Sequence, residues 1–63
     1  MNYIRIEMCM IAQTSTYSKP IWFIDEVSGN CAKNLASRDS EREAIKRAYE
    51  IAEQYNLEVK HEL

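Results

Sequence analysis

Residues 40–63 constrain the fold more than any other part of the chain, because their hydrophobic period changes once. Residues 40–43 have the form of a capping box, in which the Ser40 hydroxyl accepts from the Glu43 amide and the Glu43 carboxylate reaches back. The apolar residues that follow recur at spacings of three and four: Ala44, Ala48, Ile51, Ala52 and Tyr55. The pattern predicts a helix of about fifteen residues that ends at Asn56, a residue type that tolerates the left-handed conformation.

The residues after this helix have a period of two, which is typical of a half-buried strand. One set of positions alternates with a charged set: Leu57, Val59, His61 and Leu63 against Glu58, Lys60 and Glu62. A helix that runs directly into such a strand belongs to a small sheet with one helix laid across it.

Three strands are predicted before the helix. Residues 3–12 alternate, residues 21–27 are rich in β-formers, and residues 31–36 follow a turn signal at 28–30, with a polar loop at 13–19. We therefore predict one α+β domain over residues 1–63, in the order β-β-β-α-β, with a small antiparallel sheet and one helix packed on one face. The last strand either pairs at the edge or crosses over between strands.

One helix covers one face of such a sheet, so the other face is expected to be uncovered. Trp22 and Ile24 share one side of the second strand, and we expect them there. The expected uncovered residues are drawn from Tyr3, Cys9, Ile11, Trp22 and Ile24. An exposed apolar patch on a chain this small marks an interaction surface, and Trp and Tyr are enriched among interface hot spots. The alternative is that Trp22 packs under the 13–19 loop or against the helix.

Neither catalytic nor metal-binding motifs are recognisable. His61 is the single imidazole and is expected to point inward, and consecutive strand residues such as Asp25 and Glu26 point to opposite faces. With Gly29 as its single glycine, the chain has no phosphate-binding loop. One histidine and two separated cysteines cannot complete a zinc site. The sequence predicts no enzyme, no cofactor and no metal.

The two cysteines and the short apolar runs indicate a cellular location. Cys9 and Cys31 could form a disulfide, but we favour two reduced, mostly buried thiols. Residues 8–12 are too short for a signal-peptide core, and no run approaches the ~20 apolar residues that span a bilayer. We expect a cytoplasmic protein that does not act at a membrane.

The charge pattern weakens, but keeps open, a nucleic-acid function. The formal net charge is −2, and residues 36–63 hold five bases and seven acids. Arg38, Arg42 and Lys46 form a basic strip bordered by carboxylates, whereas nucleic-acid binders have an excess of bases on one face. A module that uses this strip and the sheet aromatics is the alternative function.

Two segments resemble a known family. Residues 27–32 (Val-Ser-Gly-Asn-Cys-Ala) and 39–44 (Asp-Ser-Glu-Arg-Glu-Ala), with Tyr49-Glu50, resemble the core of HicB-type antitoxins. In that family a Gly-x-Cys hairpin precedes an Asp-Ser/Thr-x-x-Glu-Ala helix start, in the same element order. The resemblance covers about residues 20–60 and implies a protein that blocks an RNase toxin. The chain departs from the pattern at Ser28, where the family has proline, and lacks a glycine before Asp39.

In size, charge and lack of catalytic motifs the chain also resembles small phage-encoded anti-defence proteins, such as anti-CRISPRs. Both resemblances imply a small inhibitor that binds a larger macromolecular partner stoichiometrically. The expected partner-binding residues are Tyr3, Trp22, Ile24, Asp25, Glu26, Glu50 and Glu53. A third hypothesis is a homodimeric structural or assembly protein, paired through an edge strand or the free sheet face.

Overall fold

The computed structural model describes residues 2–62, except for the side chains of 61 and 62. Its elements are β1 (Asn2–Ala12), β2 (Ser18–Ser28), β3 (Cys31–Arg38), α1 (Glu41–Tyr55) and β4 (Glu58–Glu62). The α+β class and the order β-β-β-α-β are therefore confirmed. The predicted inward orientation of His61, and any structure at Leu63, lie outside the described residues.

The strands form one sheet in the order β3-β2-β1-β4. The β1–β2 and β2–β3 pairs are antiparallel, whereas β4 runs parallel to β1. The prediction of an antiparallel sheet is wrong for this last pair. After β3, α1 returns the chain across the sheet to the end at which β1 begins, so β4 runs in the same direction as β1. Of the two predicted positions, β4 takes the edge.

The core lies between α1 and one face of the sheet. Its members are Ile4, Ile6, Ile24, Ala44, Ala48, Ile51 and Ala52. Because Ile24 pairs with Ile6 and Trp22 with Met8, both β2 residues lie on the α1 side. Ile24 is 0% exposed and Trp22 packs against the core. The expectation that they lie on the uncovered face is wrong, and the stated alternative for Trp22, packing on the helix side, is the one observed.

The connection between β1 and β2 explains this correction. β1 ends at Ala12 and β2 begins at Ser18, so residues 13–17, an odd number, join two directly paired ends. Even-numbered residues of both strands therefore share a face. The predicted loop at 13–19 is too long, because Ser18 and Lys19 are already part of β2. β3 likewise extends past the predicted 31–36 to Arg38.

The predicted helix is confirmed at both ends, but its predicted capping box is wrong. α1 runs over Glu41–Tyr55, and Asn56 ends it in the left-handed conformation with φ 57° and ψ 47°. Ser40 has the extended backbone of an N-cap (φ −128°, ψ 129°), yet its side chain makes no cap hydrogen bond. The Ser40 carbonyl accepts the first helical bond, from the Ala44 amide at 2.9 Å.

Candidate protein-binding surface

Part of the β1–β2 hairpin extends beyond the rest of the sheet. β4 pairs with residues 3–7 of β1, and β3 pairs with residues 22–28 of β2. Residues 8–21, which we call the arm, therefore lie past β4 on one side and past β3 on the other. The arm contributes to an elongated outline of 40 × 25 × 17 Å.

Exposed apolar side chains are concentrated on the arm. The large hydrophobic residues that are exposed are Met8, Met10, Ile11 and Tyr17 on the arm, with Tyr49 and Tyr55 on α1. Met10 is 58% exposed and Tyr17 56%. Residues 8–18 carry no charge, although 29% of the chain is charged. A projection with exposed apolar side chains along such an uncharged run is characteristic of an interaction surface.

The base of the arm contacts the rest of the protein at Trp22 and at Asp39. Met8 and Met10 lie opposite Trp22 and Pro20 in the β1–β2 register, and Trp22 packs against the core. The Lys19 ammonium lies 3.6 Å from the Asp39 carboxylate, an exposed ion pair between the arm and the connection between β3 and α1.

The tip of the arm is closed by hydrogen bonds. The amides of Gln13 and Thr14 both donate to the Tyr17 carbonyl, at 2.9 and 3.1 Å. The Thr16 amide donates to the Thr14 hydroxyl at 3.3 Å. The tip therefore has a defined backbone conformation and presents Tyr17 at its end.

The sheet face that α1 leaves uncovered has a polar centre. The Asp25 carboxylate accepts from the Arg5 guanidinium and from the Asn34 side-chain amide, both at 3.0 Å. The Arg5 guanidinium also lies 3.4 Å from the Glu7 carboxylate. At the β4 side of this face, the Lys60 ammonium lies 4.4 Å from the centre of the Tyr3 ring, a cation–π contact. This face is therefore less apolar than we expected.

The predicted partner-binding residues do not form one site. Tyr3 and Asp25 lie on the uncovered face, where Tyr3 is half-buried and Asp25 is buried. Glu26 is half-buried and accepts from the Asn2 side-chain amide at 3.4 Å. Glu50 and Glu53 are exposed on α1. Ile24 and Trp22 lie on the other face of the sheet, as described above.

Sequence reasoning missed Met8, Met10 and Tyr17. Met8 and Met10 belong to the same alternating row as the core residues Ile4 and Ile6, so the pattern placed them in the core. The signal that distinguishes them is the uncharged run over residues 8–18. α1 begins at Glu41, just after β3 has ended beside Trp22, and runs away from the arm, so it leaves this end of the long strand uncovered.

The structure gives little support to the basic strip of Arg38, Arg42 and Lys46 as a nucleic-acid-binding site. Arg42 and Lys46 are exposed on α1. Arg38 is half-buried, and its guanidinium donates to the carbonyl of Ser37 at 2.6 Å. Near the aromatic Tyr3, the bases Arg5 and Lys60 already contact protein groups.

Other possible sites are weak. Cys9 and Cys31 are both free thiols, half-buried and exposed respectively, so the prediction that both are mostly buried is wrong. Among the side chains of residues 2–60, no three from His, Cys, Asp or Glu are grouped as metal ligands. A shallow groove of about 130 Å³ lies between β3 and α1, lined by Leu35, Arg47, Ile51, Gln54 and Tyr55.

Comparisons with known proteins add no functional assignment. Neither protein-family models, nor curated proteins, nor solved structures show a match to this chain. In the part of the chain that the structure describes, no helix has the length and apolar character required to cross a bilayer.

Proposed function

We propose that this chain is a small inhibitor that binds a larger protein partner stoichiometrically, and that the arm is its docking surface. The observation that carries this proposal is the concentration of exposed apolar side chains, represented by Met10 and Tyr17, on a projection whose residues 8–18 carry no charge. Methionine and aromatic residues are enriched at protein interfaces, whereas charged residues are depleted from interface centres. The arm has this composition, and the uncovered sheet face does not.

The way the arm is held favours binding. Trp22 packs against the core at its base, and the bonds to the Tyr17 carbonyl close its tip. A segment that is already ordered loses less conformational entropy when it binds, so more of the contact energy becomes affinity. A projecting hairpin also fits a concave surface of a larger protein better than it fits a flat surface.

The acidic residues of α1 have a supporting role in this proposal. Glu50 and Glu53 are exposed, and the chain has a net charge of −2. Such charges accelerate association with a basic partner more than they increase affinity. Tyr3, Asp25 and Glu26 lie at the other end of the β1–β2 pair from the arm, and we leave them out of the proposed interface.

The inhibitory action takes one of two proposed forms, both in the cytoplasm. In a phage anti-defence role the partner is a component of a host defence complex, and in an antitoxin-like role it is an RNase toxin. The genes that neighbour the coding sequence distinguish the two forms, since a toxin gene is expected beside it only in the second.

The test compares two variants that introduce the same charge at equally exposed positions. Met10 on the arm and Tyr55 on α1 are each 58% exposed, so Met10→Lys and Tyr55→Lys form a matched pair. The partner is purified and its affinity, stoichiometry and activity are measured by calorimetric titration and inhibition assay. We expect Met10→Lys to weaken binding by at least about tenfold, as for an interface hot spot, and Tyr55→Lys by less than about threefold.

Three results would contradict the proposal. Equal partner affinities of the two variants would show that the arm is not part of the interface. Inhibition that never saturates at a fixed ratio of chain to partner would contradict stoichiometric action. Salt-dependent binding of single-stranded RNA or DNA, with no protein partner, would instead support the nucleic-acid alternative, since neutralised phosphates release counterions.

A further inference from the structure

The free strand edges of this sheet are not alike. Within residues 2–62, the outer edge of β3, the outer edge of β4 and the β2 edge of the arm have no neighbouring strand. Each of these edges carries charges, a proline or a bulge. The features are Lys33, Arg38 and the irregularity at Leu35 on β3, Glu58, Lys60 and Glu62 on β4, and Lys19 and Pro20 on β2. Natural sheets use these features to prevent the addition of another strand.

The fourth free edge has none of them. Residues 8–12 of β1 continue past the end of the β4 pairing, and no described strand lies beside them. This edge, Met-Cys-Met-Ile-Ala, has no charge, no proline and no bulge in its pairing with β2. A bare apolar edge of this length is a template for strand pairing. Among the free edges, it is therefore the one best suited to pair with another strand.

We propose that the occupant is the same edge of a second copy of this chain, paired antiparallel about a twofold axis through Met10. The inference rests on the edges and is independent of the proposed inhibitory function. An axis at Met10 pairs each residue of the free edge with one of the second copy, Met8 with Ala12 and Cys9 with Ile11, and stops where the β4 pairing begins. Such an interface is self-complementary by symmetry.

Charge favours a second copy at this edge. Two chains of net charge −2 repel each other, and like charges opposite each other across strands are destabilising. The run over residues 8–18 is the longest uncharged stretch of the chain. Two copies that pair there bring no like charges together. A chain of 63 residues also buries a limited fraction of its surface, so a paired partner adds stability by mass action.

Edge pairing leaves the faces of the arm free. A twofold axis perpendicular to the sheet keeps Met8 and Met10 of both copies on the same face, beside Trp22 and Pro20. If the proposed function holds, the docking surface is this combined strip, and each copy supplies half of it.

The test uses disulfide formation in a background without native cysteines (Cys9→Ser, Cys31→Ser). Opposed residues of antiparallel strands have Cα atoms about 4.5–5.5 Å apart, which is within the range that a disulfide bridges. Met10→Cys in this background should therefore oxidise to a covalent dimer, more than about tenfold faster than Tyr17→Cys, which is exposed but distant from the axis. By light scattering, the wild-type protein should have twice the 7.4 kDa mass of one chain. The Met10→Lys variant should have the mass of a single chain.

The outcomes separate this inference from the proposed function, because no partner is present. A mass of one chain at all concentrations up to millimolar, with equal oxidation of the Met10→Cys and Tyr17→Cys variants, would overturn the pairing and leave the docking role of the arm standing. Covalent dimers of Met10→Cys and a doubled wild-type mass would establish the pairing even if no partner protein binds.

Discussion

The guanidinium of Arg5 lies 3.0 Å from the carboxylate of Asp25, across directly opposed positions of β1 and β2, on the sheet face that α1 does not cover. The Asp25 side chain is 11% exposed and also accepts from Asn34. The centre of this face is therefore a satisfied polar cluster. The apolar surface of the molecule lies on the arm instead, and the arm is where we place recognition.

The Arg5–Asp25 contact should contribute measurably to stability. Asp25→Ala leaves the half-buried guanidinium of Arg5 with fewer acceptors, and we expect the free energy of unfolding to fall by about 1–3 kcal/mol. Urea denaturation measures this loss. The control is Glu53→Ala, at an exposed carboxylate on α1, for which a change within about 0.5 kcal/mol is expected. Equal losses in the two variants would show that the cluster contributes nothing.

The placement of Ile24 in the core and Ile11 on the arm gives a matched pair of truncations. Ile24→Ala removes a side chain that is 0% exposed, so a loss of about 2–5 kcal/mol is expected from the cavity and the lost burial. Ile11→Ala removes the same atoms from a side chain that is 38% exposed, and should cost less than about 1 kcal/mol. Chemical denaturation of both variants is the measurement. The reverse order would mean that the β1–β2 register is wrong.

Asn56 ends α1 in the left-handed region, with φ 57°. A Cβ without a compensating polar group is strained there, so Asn56→Ala should lower stability by about 1 kcal/mol, whereas Asn56→Gly should leave it equal or slightly higher. Thermal unfolding followed by far-UV circular dichroism compares the two variants. An alanine variant as stable as the glycine variant would contradict a left-handed Asn56.

A substitution at Ser40 tests whether its side chain caps α1. Its hydroxyl makes no cap hydrogen bond, so Ser40→Ala should cost less than the roughly 0.5–2 kcal/mol that is typical of a capping serine. The same denaturation experiment provides the value. A loss above about 1 kcal/mol would indicate that Ser40 does cap α1 in solution.

The sequence predicts the fold of this chain better than its surface. Local signals at residues 40–63 suffice for α1 and for its end at Asn56, because helix period and helix stop depend on neighbouring residues. The face on which Trp22 and Ile24 lie depends on the β1–β2 register, which five loop residues determine. A difference of one residue in that loop exchanges the two faces.

The site was harder to predict for a related reason. The exposure of Met8 and Met10 follows from where the β4 pairing ends and where α1 begins, and strand alternation alone cannot show that a long strand continues past the elements that cover it. The uncharged run over residues 8–18 was visible in the sequence. Its meaning depends on knowing that these residues project from the sheet.

Hydrogen exchange of the free chain and of its complex with the purified partner tests whether the arm is the surface of recognition. We expect slower exchange in the complex at residues 8–21, with α1 unchanged. Slower exchange in α1 or around Tyr3, with the arm unchanged, would contradict it.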